Sequence, residues 1–187
     1  MLRNKNNMKK VTFITGNQHK ADYLANFLGH PVEHVKIALD EIQSLDLKEI
    51  VEHKVKQAYA KIKKPVIVED VALEFSAFGR LPGTFIRFFV EEMEPEAICA
   101  MLDGKDRAAV GRCAFGYYDG KKLKIFESSL KGRIAKKPAG NCGYGWDRIF
   151  IPEGYEVTRA SLSPADDKKT YLKLKPFAKL KKFLAEK

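Results

Sequence analysis

Val11-Thr12-Phe13-Ile14-Thr15-Gly16-Asn17-Gln18-His19-Lys20 runs from an apolar segment straight into a glycine turn that carries a lysine. A short apolar run of this kind reads as a strand buried on both faces. A second such run, Val66-Ile67-Val68, leads into the paired carboxylates Glu69-Asp70. In open α/β sheets, ligands bind beyond the carboxyl ends of the strands. One strand end therefore brings backbone amides and a lysine, which suit phosphate. The other brings carboxylates, which suit a magnesium ion or an attacking water. A nucleotide hydrolase is the first functional class this pairing suggests.

Between the two runs the pattern is that of parallel α/β architecture. Ala21, Leu24, Ala25 and Leu28 repeat at helical spacing, and Gly29 offers a stop. Val32 to Leu39 alternates and predicts a second strand. Asp46 with Glu49 resembles a capping box, and behind it Val51, Val55, Ala58, Tyr59 and Ile62 mark a core-facing helix. Strand, helix, strand, helix, strand follows. Past this half, Glu94-Pro95-Glu96 opens a short helix that Asp103-Gly104 closes. Ala108–Tyr118 and Lys121–Leu130 then flank Asp119-Gly120, a two-residue hairpin signal. The expected fold is α/β, an elongated mixed β-sheet with flanking helices and two lobes around a central cleft. No Pro/Gly/Ser-rich linker divides the chain, so residues 1–187 read as one domain, with residues 1–8 a loose N-terminal extension.

The formal net charge of +10 raises the question of nucleic acid. Its distribution argues against that partner. Residues 1–10 carry +4 and residues 168–187 carry +7, which leaves −1 for everything between. Basic ends read as solvated termini, and no aromatic-basic interleaving marks a binding groove. Phe177, Leu180, Phe183 and Leu184 form an apolar stripe, read as a terminal helix packed on the sheet rather than on a membrane. No run approaches the roughly 20 apolar residues of a membrane span, and the start lacks a signal-peptide core. Cys99, Cys113 and Cys142 show neither disulfide nor zinc spacing. A soluble cytoplasmic protein without a nucleic-acid or membrane partner is expected.

Each chemical motif has a plain structural alternative. Thr-Gly-Asn followed by Lys lacks Walker spacing and could be only a tight turn. Acidic strand ends are common. Gly79-Arg80-Leu81-Pro82-Gly83 is a rigid loop, with the cationic Arg87 beyond it. Gly143-Tyr144-Gly145-Trp146-Asp147 could stack a base on an aromatic ring while Asp147 reads its polar edge, or could be an aromatic turn at a sheet edge.

Their order, however, is specific. Thr15-Gly16-Asn17 with Lys20, Asp40-Glu41-Ile42-Gln43, Lys54, Val68-Glu69-Asp70, Gly79–Gly83, Tyr144-Gly145-Trp146-Asp147 and Phe150-Ile151-Pro152-Glu153-Gly154-Tyr155 together resemble the inosine triphosphate pyrophosphatases, the Ham1-like purine nucleoside triphosphatases. The resemblance runs from about residue 10 to about residue 184. It implies a homodimeric, Mg²⁺-dependent enzyme that splits ITP, dITP and XTP between the α and β phosphates. Thr15, Asn17 and Lys20 would hold the phosphates, with Lys54 and Arg87 adding positive charge. Glu41 and Asp70 would bind the metal, Asp70 would activate water and Glu69 would assist it. Tyr144, Gly145, Trp146 and Asp147 would form the base wall.

Three departures stand out. Tyr23 replaces an acidic residue, and Val71 replaces a hydroxyl residue after Asp70. Tyr171-Leu172-Lys173 stands where the family has Ser-His-Arg facing the base, so that only Lys173 keeps a donor. Base selectivity is therefore expected to be weakened or redirected. The alternative is a catalytically impaired nucleotide-binding protein of the same fold, and retention of Lys20, Glu41, Lys54 and Asp70 argues against it.

Overall fold

The computed structural model describes residues 11–29 and 32–186, so the extension expected over residues 1–8 lies outside the described residues. Strand β1 (Val11–Ile14) pairs in parallel with β2 (Val32–Val35) on one side and β3 (Val66–Phe75) on the other. Helices α1 (Gln18–Leu28) and α2 (Leu47–Ile62) connect these strands, the β-α-β-α-β order expected of the first half. From β3 onward the pairing is antiparallel. Strands β4 (Pro82–Gly83) and β5 (Ala108–Tyr118) both pair with β3, β6 (Leu123–Ile134) with β5, and β7 (Phe150–Pro152) with β6. Among the described residues the sheet is seven-stranded and mixed, ordered β2-β1-β3-β5-β6-β7 with β4 beside β3. Helices α3 (Ile86–Glu92), α4 (Pro95–Ala100), α5 (Pro164–Leu174) and α6 (Phe177–Ala185) complete it.

Strand periodicity explains why the sheet is covered twice. Ile67 faces a core shared with Phe13, Leu24, Phe115, Leu174 and Phe177, beneath α1, α5 and α6. Its neighbours Val66 and Val68 face the opposite core, with Ile14, Val51, Val55 and Ala58 beneath α2. On that side α2 comes so close to β5 that a Cβ on Gly116 would lie 2.6 Å from Val51 Cγ1. Glycine is the residue that admits this approach. The apolar stripe of α6 packs inward, with Phe177, Leu180, Phe183 and Leu184 all buried.

Several boundaries differ from the expected ones, each for a local reason. Strand β2 stops at Val35 rather than Leu39, because its one partner β1 ends opposite it at Ile14. The hairpin loop is four residues long, not two. Asp119 Oδ1 accepts the backbone N–H of Lys121 (3.1 Å) and Lys122 (2.7 Å), and β6 starts only at Leu123. Asp46 does cap α2, accepting from Lys48 N–H at 2.8 Å, but Glu49 does not close a capping box. Its carboxylate accepts instead from the Ser44 hydroxyl (2.7 Å). Strand β3 continues for ten residues, so Glu69-Asp70 lies inside it and not at its end. Among the described residues, no helix is long and apolar enough to cross a membrane.

Candidate active site

What ends at Glu69 is not β3 but its parallel neighbour. The β1–β3 register closes at Ile14 opposite Val68, while β5 continues beside Glu69 and Asp70. The gap where β1 stops opens into a cleft of about 1080 Å³. Thr15–Asn17 line it from the turn after β1, Lys20 from α1, Lys54 from α2, Arg87 from α3, and Tyr144–Asp147 from the segment before β7.

Alternation along β3 sends the two carboxylates to opposite faces. Asp70 lies on the α2 side, where its Oδ2 accepts from Lys54 Nζ at 3.0 Å and its Oδ1 from the Val71 N–H at 2.8 Å. Lys54 Nζ also donates to Glu41 Oε1 at 2.9 Å. Burial pulls the Lys54 ammonium down in pKa, but Asp70 and Glu41 more than reverse it and hold it above the ordinary value. Glu69 lies on the other side, between Lys20 Nζ (3.4 Å) and Lys175 Nζ, which hydrogen-bonds it. Burial pushes the Glu69 carboxyl up, but Lys175 and Lys20 outweigh that effect and keep it below the usual carboxylate value. The two acids thus occupy different environments. Asp70 shares its lysine with a half-exposed Glu41, whereas Glu69 is enclosed by two cations.

The glycine turn is held by its own side chains. Thr15 Oγ1 accepts from the Asn17 N–H (3.1 Å), and Asn17 Oδ1 caps α1 through the Lys20 N–H (3.2 Å). The first turn of an eleven-residue helix thereby opens onto the cleft. Arg87 is largely exposed, paired with Glu91 at 2.8 Å and 3.9 Å from Glu41.

At the far end, Tyr144 and the 3₁₀ turn Gly145–Arg148 border the cleft. Trp146 is mostly a core residue, edge-on to Phe150 with ring centres 5.1 Å apart. Asp147 is buried, its Oδ2 accepting from the Tyr144 N–H (3.1 Å) and its Oδ1 from Arg159 Nη1 (3.0 Å). Burial raises its pKa, and Arg159 offsets that only in part. An acid whose oxygens are engaged in this way does not offer itself freely to a base edge, contrary to the sequence expectation.

Lys173 is not brought to the cleft. It is exposed on the outer face of α5, as is Leu172, while Tyr171 turns inward. Tyr23 stacks on that Tyr171 ring at 4.3 Å, so two of the altered positions pack against each other. Two cleft residues, Arg159 and Lys175, belong to no motif that the sequence offers, while Tyr171 comes from the altered stretch on α5. Lys175 is 3% exposed despite belonging to a lysine-rich tail that reads as solvated.

Among the described residues, no group of three or more His, Cys, Asp or Glu side chains could hold a metal ion alone. Glu41 and Asp70 nevertheless lie on either side of one ammonium group. Two hard oxygen donors around one cation position suit an ion that takes its remaining ligands from water and phosphate.

The fold and cleft thus define a mixed α/β protein that sets lysines against carboxylates where parallel pairing gives way to antiparallel. A profile of the Ham1 family matches residues 11–183, and the chain belongs to that family. It is 39% identical over 186 residues to inosine triphosphate pyrophosphatase 2 of Trypanosoma cruzi, covering 97% of this chain and 94% of that protein. It is 35% identical over 161 residues to the inosine triphosphate pyrophosphatase of Schizosaccharomyces pombe, covering 83% and 85%. In fold it is similar to the Ham1 protein of Staphylococcus aureus, with a TM-score of 0.80 at 24% identity, covering 96% of this chain and 100% of that one.

Proposed function

We propose that this chain is a nucleoside triphosphate pyrophosphatase that hydrolyses ITP, dITP and XTP to the monophosphate and pyrophosphate. The observation that carries the reading is the Lys54 bridge between Glu41 and Asp70, in one cleft with Lys20 at the α1 N-terminus. The triphosphate lies along Thr15–Asn17, where the first amides of α1 and the Lys20 ammonium meet its oxygens. Lys54 from α2 and Arg87 from α3 add charge. Glu41 and Asp70 would hold Mg²⁺, which would neutralise phosphate charge there.

Asp70 orients a water toward the α phosphorus and accepts its proton. A bond forms from the water oxygen to that phosphorus, the α–β bridging P–O bond breaks, and its electron pair leaves with pyrophosphate. Glu69 serves as an anchor for Lys20 in this reading, since Lys175 and Lys20 already engage it. Tyr144, Gly145, Trp146 and Asp147 form the wall behind the base. Lys173, exposed on α5, has no part in it.

The reading extends to a single domain over residues 1–187, working as a cytoplasmic homodimer on free nucleotides. The exposed Leu45, Leu81 and Phe88 support an apolar face for a second copy. The test is pyrophosphate release from ITP, XTP, dITP, ATP and GTP, with and without Mg²⁺. Equimolar pyrophosphate and monophosphate from ITP is expected. Stepwise release of inorganic phosphate, or tight nucleotide binding without product, would overturn the proposal.

A further inference from the structure

We infer that Arg159, together with the hydroxyl of Tyr171, reads the 6-oxo edge of the base and is this chain's selectivity device. This rests on the pyrophosphatase reading for the reaction but on separate residues for the recognition. Arg159 opens the 3₁₀ turn Arg159–Ser161 after β7 and is 4% exposed. Its Nη1 donates to Asp147 Oδ1 at 3.0 Å and its Nη2 to Asp167 Oδ1 at 2.7 Å. The guanidinium carbon stands 5.5 Å from the centre of the Tyr171 ring. Both side chains line the cleft.

Among the described residues, two polar atoms at this end are buried without a hydrogen-bond partner, Arg159 Nε and Tyr171 Oη. Buried polar groups are as a rule paired, and an orphan at a cleft wall calls for a ligand atom; His53 Nδ1, also unpaired, lies outside the cleft lining. Asp147 and Asp167 each take one N–H of the two Nη groups, which holds the fork in place, and Nε is the guanidinium nitrogen that bonds nothing. A guanidinium can only donate. It suits a base that carries an oxygen at position 6 and faces donor to donor with one that carries an amino group there. The Tyr171 hydroxyl, which can also accept, matches the N1–H that accompanies a 6-oxo group.

The surrounding packing holds this arrangement in place. Asp167 and Tyr171, four residues apart, share the inner face of α5, while Lys173 falls on the outer face. Tyr23 stacks on Tyr171 at 4.3 Å, and Phe177 lies 5.8 Å from the same ring. The altered Tyr171-Leu172-Lys173 stretch is therefore a re-equipment of the pocket. Its donor arrives from the turn after β7 rather than from α5. The discrimination this provides is 6-oxo over 6-amino; guanine shares the oxo edge with hypoxanthine and is not separated by it.

Two variants of the full chain test the inference. Arg159→Lys keeps a positive charge between Asp147 and Asp167 but removes the Nε donor. Tyr171→Phe removes only the hydroxyl. For each, kcat/KM is measured with ITP and ATP, and calorimetry gives Kd for IMP and AMP. The ITP:ATP ratio is expected to fall at least roughly tenfold in Arg159→Lys and about threefold in Tyr171→Phe. The loss should fall on KM and on IMP affinity, with kcat little changed, since the contact is made equally before and during reaction. Folded variants that keep the wild-type ratio overturn the inference while leaving the pyrophosphatase reading intact. If Arg159→Lys does not fold, Tyr171→Phe decides. If the wild-type protein releases no pyrophosphate but prefers IMP to AMP, and the variants erase that preference, the pyrophosphatase reading falls and the inference stands.

Discussion

Lys175 and Glu69, 106 residues apart in the chain, form a hydrogen-bonded ion pair with both side chains almost wholly buried. The pair ties the joint between α5 and α6 to the middle of β3. On the other side of the same carboxylate stands Lys20, 3.4 Å away at the start of α1. Three distant segments thus meet on one carboxylate beneath the cleft.

Removing Lys175 leaves the buried Glu69 carboxylate with only the longer contact to Lys20. Lys175→Met is expected to destabilise the protein by about 3–5 kcal/mol. In a chain of this size that lowers the melting temperature by roughly 10 °C. Replacing both residues, Lys175→Met with Glu69→Gln, should recover most of the loss. Urea denaturation of the two variants checks this. A single variant as stable as the wild type would show that the pair contributes nothing.

The same carboxylate gives the acid limb of stability a definite sign. The folded pKa of Glu69 lies below its unfolded value of about 4.3. Its contribution is therefore fully present above that value and is lost as pH falls through the lower, folded one. Asp147, whose folded pKa is raised, acts oppositely and weakens the fold as pH rises from about 3.9 through the folded value. Glu69→Gln should flatten the fall in denaturation midpoint on acidification. Parallel wild-type and variant profiles between about pH 2 and pH 5 would contradict the assignment.

Asp70 sits on the other face of β3, with one oxygen on Lys54 and one on the Val71 N–H. Asp70→Asn keeps the shape and an acceptor for Lys54 but cannot take a proton from water. Turnover of ITP is expected to fall by at least roughly tenfold, and by as much as about 10⁴-fold if proton transfer is fully lost. The melting temperature should hardly move. Pyrophosphate release at wild-type rate from the folded variant would remove Asp70 from the chemistry.

How much of this was legible in the sequence depended on whether a residue's partners lay nearby in the chain. Val11–Ile14 and the turn after it could be read because a buried strand must be apolar and a phosphate turn needs Gly16 and a lysine. The extent of β3 could not be read, since Glu69-Asp70 breaks its apolar run just where β1 stops beside it. Lys175 was hidden by its company. Residues 168–187 hold eight lysines, and composition does not say which one turns inward. Arg159 finds Asp147 and Asp167, 12 and 8 residues away, only once the turn after β7 and helix α5 have folded together. Lys173 misled because it matched a family position, while the helical phase of α5 sends Tyr171 inward and Lys173 out.

Gly143 tests whether the Asp147 carboxylate organises the base end of the cleft. Its φ is +79°, in the left-handed region, and a Cβ there would collide with Asp147 Oδ2. That oxygen accepts the Tyr144 N–H at 3.1 Å, and its twin holds Arg159 at 3.0 Å. Gly143→Ala therefore adds backbone strain of about 1–2 kcal/mol and also forces the carboxylate to shift. Gly154, at φ +85° with open space where a Cβ would go, would carry only the strain. Gly143→Ala should lose more stability than Gly154→Ala, and only Gly143→Ala should raise KM for ITP, by about threefold or more, with kcat nearly unchanged. The phosphate end, built from α1, α2 and β3, does not depend on this turn. If both variants raised KM equally, the effect would be general loosening of the fold; if neither did, Asp147 would not position the base.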